Sequence, residues 1–169
     1  MMPTTETTRL AHRSTAFDTR SRTAGVALLA DARMVERLRN EDSAAQYALW
    51  TQWRPAVKAM CDGMSFGEIE ARALAIACRR ALETGSVHWT PGIPVRAQVA
   101  ATVWRILTQE LHLHWLTSAR ASQLVILMDQ TFGCSEEMLG DLLAIPAEAL
   151  RYAKRFAECR TEEDQVLAA

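Results

Sequence analysis

The sequence predicts an all-α chain of two small helical lobes, the second ending in two short helices joined by a tight turn. Apolar residues recur at three- and four-residue spacing through most of 31–160, the period of a helix with one buried side. No stretch alternates apolar and polar residues for longer than a short run, so no strand is expected. Most of the Gly and Pro residues fall between the periodic stretches, where they mark turns.

Composition bounds what such a chain can be. Of 169 residues, 49% are hydrophobic and 23% charged, which suits a packed domain and excludes wholesale disorder. Strictly apolar runs such as Val26–Ala30 and Leu124–Met128 are far short of the roughly 20 residues of a membrane-crossing helix. With no apolar leader after the first basic residues, a cytoplasmic protein without membrane contact is expected. The four cysteines (Cys61, Cys78, Cys134 and Cys159) form no CxxC pair, which favours reduced thiols over disulfides or zinc. Cys134, in a turn, is expected to be the most exposed. His112 and His114 stand two apart on different helix faces, so no metal site and no cofactor are expected.

Residues 1–30 are rich in Thr, Ser and Arg without a sustained period and read as a mobile tail. Asp31–Asp42 opens the helical pattern with Met34, Val35 and Leu38 on one side. Ser43 begins a longer helix in which Ala45, Leu49, Trp53, Val57 and Met60 share a face, with a kink or interruption expected near Arg54 because Pro55 follows. Ser65-Phe66-Gly67-Glu68 has the spacing of a capping box, and the next helix is expected to bury Ile69, Ala73, Ile76, Ala77 and Ala81. The loop 85–94 contains Pro91, Gly92 and Pro94. Val95, Val99, Val103, Ile106 and Leu111 then mark a further helix, and Leu107–Ser118 is expected to be a continuous or nearly continuous helical connection to the second lobe. The lobes are placed at 31–112 and 119–160, each with its own small core, followed by an acidic tail at 161–169.

In the second lobe, Leu124, Leu127 and Met128 give one helix, stopped at Gly133. Ser135 can cap the next, with Glu136 and Glu137 in its first turn and Met138, Leu139, Leu142 and Leu143 inward. Pro146 suits the start of the last helix, where its missing N–H costs little. That helix carries Arg151, Lys154 and Arg155 at i, i+3 and i+4, with Glu148 three residues before Arg151 and placed to pair with it. The stripe stands in an acidic setting: residues 119–169 hold five Lys or Arg against nine Asp or Glu, whereas 31–118 hold ten against nine. A short basic stripe without a basic domain suits weak nucleic-acid contact at best.

Residues 133–160, GCSEEMLGDLLAIPAEALRYAKRFAECR, resemble the promoter-binding C-terminal domain of the extracytoplasmic-function sigma factors of bacterial RNA polymerase. Gly133, Ser135, Glu137, Leu142, Leu143, Ile145 and Pro146 fall in the family register. Upstream, AAQYALWTQWRP at 44–55 is similar to the start of the family's N-terminal domain, through Ala44, Ala45, Leu49, Trp50, Trp53, Arg54 and Pro55. The resemblance implies a sigma-factor-like chain with a C-terminal helix-turn-helix, whose partners are promoter DNA and the RNA polymerase core. It assigns Arg151, Tyr152, Lys154 and Arg155 to DNA contact. Trp89, Arg96, Glu68 and Glu70 become candidates for promoter or polymerase contact, Trp89 by stacking on a splayed base.

The departures from the family pattern favour a second expectation. The polymerase-docking helix of the family is acidic and contains Gln; here Glu68 and Glu70 are the only acids near its start. A family Gly at the helix-turn-helix turn is replaced by Ala144, at a cost of roughly 1 kcal/mol if the site is left-handed. The alternative is therefore a sigma-like mimic or adaptor that binds an anti-sigma factor or another regulator without directing transcription. No phosphate loop, HExxH, GxSxG or paired-carboxylate motif is present, so no catalytic residue is assigned and no enzyme is expected.

Overall fold

The computed structural model describes residues 29–84, 87–113 and 119–156. Among them the chain forms helices only: α1 (29–39), α2 (Ser43–Met64), α3 (Glu68–Glu83), α4 (Val95–Glu110), α5 (Ala119–Phe132), α6 (Glu136–Leu143) and α7 (147–156). The tails expected at 1–30 and 161–169 fall almost wholly outside the described residues, as do His114, Trp115 and Cys159. No described helix is long and apolar enough to cross a membrane.

α4 is the centre of the fold. It packs against α3, α5 and α6, and residues 97–104 are buried on every side. Ala97, Ala100 and Ala101 keep that stretch thin enough for neighbours to close around it. Its first N–H, on Val95, has no local side-chain cap and donates instead to Asp31 of α1 at 3.3 Å. α2 packs on α3 and α5 with the expected face: Ala45, Leu49, Val57 and Met60 are fully buried. Its N-cap is Asp42, whose carboxylate accepts from Ala44 and Ala45 at 2.9 and 3.1 Å. No interruption occurs at Arg54. Pro55 lies on the exposed side, where the Thr51 carbonyl it leaves without an amide partner can turn to water.

The two cores expected from the sequence are one. Buried residues from α1 to α7, Val35 to Ala153, belong to a single contiguous cluster. Two polar anchors hold its seam: Arg120 of α5 donates to the Met64 carbonyl at 2.8 Å and Gln123 to the Gly63 carbonyl at 2.8 Å, completing the open end of α2. Over its described residues the connection Leu107–Ser118 is not one continuous helix. α4 ends at Glu110, and His112 turns the chain with φ 51°; residues 114–118 lie outside the described residues.

α3 departs most from expectation. Its buried residues are Ala71, Leu74, Cys78, Ala81 and Leu82, whereas Ile69 is 89% exposed, Ile76 45%, and Ala73 also faces solvent. Only Ala81 of the expected face is fully inward. The capping box is replaced as well. Gly67 is the N-cap without a side-chain bond, and the Glu70 carboxylate, not Glu68, accepts from the Phe66 N–H at 2.6 Å. Ser65 instead ends α2 and donates its hydroxyl to the Asp62 carbonyl.

Candidate functional site

The candidate site is built by α6, the turn after it, and α7. Ser135 starts α6 as its position predicts, accepting from the Met138 N–H at 3.2 Å. The helix ends at Leu143, and Ala144 takes φ 55°, ψ 40°. That left-handed residue lets the Ile145 N–H reach back to the Gly140 carbonyl at 3.0 Å. The returning chain then runs hard against α6: a Cβ on Gly140 would meet the Ile145 carbonyl oxygen at 2.6 Å. Gly140 thus sets the separation of the two helices. Its signal in the sequence is a glycine inside an amphipathic helix, four residues before the turn, which periodicity alone does not single out.

The Pro146 carbonyl accepts from Ala149 and Leu150, so α7 begins directly after the proline as expected. Leu150 and Ala153 are fully buried and fix the roll of α7, which leaves Arg151, Tyr152 and Arg155 facing solvent. From the side, the Arg105 guanidinium of α4 donates to the Leu142 carbonyl at 2.9 Å and holds the end of α6 against the central helix.

The basic stripe is largely compensated. Arg151 pairs with Glu137 at 2.7 Å, and Lys154 with Asp129 at 2.5 Å and Glu136 at 3.4 Å. Glu148, expected to neutralise Arg151, is not its partner; the first turn of α6 supplies the acid instead. Two cations on α7, Arg151 and Lys154, meet three carboxylates from α5 and α6. The electrostatics agree with that pairing. The Glu137 carboxyl is held below its usual range by its own backbone N–H and by Arg151. Asp129 raises the Lys154 ammonium above its ordinary value. Among the described residues Arg155 has no ion-pair partner, and Tyr152 is 64% exposed.

No family model, curated protein or solved structure matches this chain.

The other candidate residues do not join this site. Trp89 is 5% exposed and belongs to the core, so it presents no ring for a base to stack on. It is held there because Gln98, buried in α4, ties the loop down: its amide accepts from the Thr90 N–H at 2.7 Å and donates to the Thr90 and Ile93 carbonyls at 3.0 and 2.8 Å. Arg96 is exposed at the start of α4, near Gly133. Glu68 is exposed in the first turn of α3. Glu70 is engaged, accepting from Arg120 at 3.4 Å as well as from Phe66, while the Arg120 guanidinium lies 4.0 Å from the centre of the Phe66 ring. Trp89, Arg96 and the first turn of α3 that carries Glu68 and Glu70 sit in separate neighbourhoods.

Among the described residues no three His, Cys, Asp or Glu side chains are grouped to hold a metal ion. Cys134 is buried, contrary to its expected exposure, because Phe132 and Leu139 on either side are core residues. Cys61 of α2 and Cys78 of α3, both buried, share a hydrogen bond that lowers the first thiol and, with burial, raises the second.

Proposed function

We propose that this chain is a divergent regulator resembling the extracytoplasmic-function sigma factors, with α6 and α7 as a helix-turn-helix and α7 as the helix that approaches promoter DNA. The tight reversal carries the reading. A left-handed Ala144, a glycine at the point of closest approach, and an apolar underside with a polar outer face are what a helix-turn-helix requires. Arg155 and Tyr152 make the first contacts with phosphate and base edges. Arg151 and Lys154 join only on leaving their carboxylates, so the isolated protein binds duplex weakly and needs polymerase or another partner to hold it there.

A second reading rests on those same ion pairs. A helix whose cations are already matched by Asp129, Glu136 and Glu137 suits an adaptor that binds an anti-sigma factor or another regulator and reads no promoter. Titration with a randomised duplex pool at two salt concentrations separates the two. A DNA reader binds in a salt-sensitive way, loses about one unit of log–log salt slope with Arg155→Ala, and gains affinity when Glu137→Gln frees Arg151. No binding by either protein at low salt leaves the adaptor.

A further inference from the structure

α2 and α3 enclose an open groove of about 530 Å³ that continues along α2 into a second hollow of about 560 Å³, toward Tyr47. Its floor is apolar, formed by Trp50, Ala71, Ala75 and Ile76, and its rims are basic. Arg54 and Lys58 stand on the α2 rim, Arg72 and Arg79 on the α3 rim. Lys58 is held by Asp62 at 2.6 Å, and Arg79 by Glu83 at 2.9 Å while lying over the Trp50 ring. Arg54 and Arg72 have no ion-pair partner among the described residues.

The groove adjoins the side of α3 that the core leaves uncovered. Ile69, Ala73 and Ile76 are spaced i, i+4 and i+7, a helical apolar stripe, yet all three face solvent, and Phe66 beside them is 88% exposed. A helix that is apolar on two sides and covered on one has room for a partner on the other. Large apolar side chains gathered on a surface mark an interaction site.

We infer that the α2–α3 face is the docking site for an acidic amphipathic helix of a partner protein, which lays its apolar stripe on Trp50, Ile76 and Ile69 and sets carboxylates against Arg54 and Arg72. The alanines of the floor leave space for apolar side chains. The two unpaired guanidinium groups match carboxylates in a planar, bidentate way. Single-stranded nucleic acid fits less well, since Arg79 already covers Trp50 and the rest of the floor between α2 and α3 is aliphatic, which leaves Tyr47, at the end of the second hollow, to stack a single base. A second copy of the chain fits less well too, because the two guanidinium groups this face leaves without an ion pair, Arg54 and Arg72, would meet their own sign, Asp62 and Glu83 being taken up by Lys58 and Arg79. The inference stands whether or not α7 reads DNA.

The test uses the full-length protein and a synthetic helical peptide of about five turns, with Leu on one stripe and Glu on its flanks. Comparison probes are the same composition scrambled to destroy the stripe, a Lys-for-Glu version, and an oligothymidine. The Glu peptide is expected to bind with a change in tryptophan emission, at least about tenfold more tightly than any other probe. Arg54→Glu with Arg72→Glu is expected to remove that preference with the thermal melt unchanged, and Ile69→Asp to weaken binding on its own. Arg155→Ala is expected to leave peptide binding intact, which separates this surface from α7. Equal binding of the scrambled peptide, tighter binding of the oligonucleotide, or a dimer dispersed by Ile69→Asp would each overturn the inference.

Discussion

Replacing Ala144 by Gly is expected to stabilise the protein. Ala144 sits at φ 55°, ψ 40°, where the Cβ of an L-residue crowds the following carbonyl at a cost of about 1–2 kcal/mol. Glycine removes that strain but is freer in the unfolded chain, which returns about 0.4–1 kcal/mol. The Ala144 methyl is exposed, so almost no burial is lost with it. The net gain is about 0.5–1 kcal/mol, or about 1–4 °C in Tm for a chain of this size. Gly140→Ala is expected to act in the opposite sense four residues away. Its new Cβ would meet a backbone oxygen at 2.6 Å, and an overpacking cost toward the upper end of about 1–3 kcal/mol outweighs the helix propensity gained. Urea and thermal unfolding followed by helical circular dichroism measure both. A Tm for Ala144→Gly at or below the parent value, or a Gly140→Ala protein as stable as the parent, would refute the account of this turn.

Gln98→Leu keeps the volume but strips three hydrogen bonds from the loop that covers Trp89. It should cost about 1–3 kcal/mol in urea unfolding and raise the exposure of Trp89 to acrylamide quenching. Two carboxyls are held low, Asp42 by Arg37 and then by the Ala45 and Ala44 N–H groups, and Glu137 by its own N–H and Arg151. Their contribution is present above the unfolded carboxylate pKa of about 4 and is lost as pH falls through the folded values, so acid unfolding should begin at lower pH in the parent than in Asp42→Asn. Lys154 works at the other end: its raised folded pKa gives stability that is complete below about pH 10.4 and fades as pH rises through the folded value, a loss that Lys154→Met should remove from the alkaline limb. Cys61, Cys78 and Cys134 are all buried, so an aromatic disulfide reagent should label them only as the protein unfolds in urea; fast labelling of more than one thiol in the folded protein would contradict that packing.

What the sequence determined by itself is what a few neighbouring residues decide. The face of α2 follows from Leu49, Val57 and Met60, strongly apolar residues with polar ones between them. The start of α6 follows from Ser135, the start of α7 from Pro146, and the left-handed demand at Ala144 from the turn it ends, since each depends on backbone groups within one helical turn. The outer face of α7 was equally legible, from Leu150 and Ala153 on one side and the basic stripe on the other. Only tertiary structure chose the buried side of α3, because alanines are spread around that helix and its apolar residues permit two rolls; α2 and α4 take Leu74 and Cys78, leaving Ile69 outside. Trp89 went inward for a comparable reason, being held by an amide eight or nine residues further on. The charge state of the candidate site was least visible of all. Arg151 and Lys154 look free along their own helix, and the carboxylates that occupy them stand 14, 18 and 25 residues back in the chain, on helices that only the shared core brings beside α7.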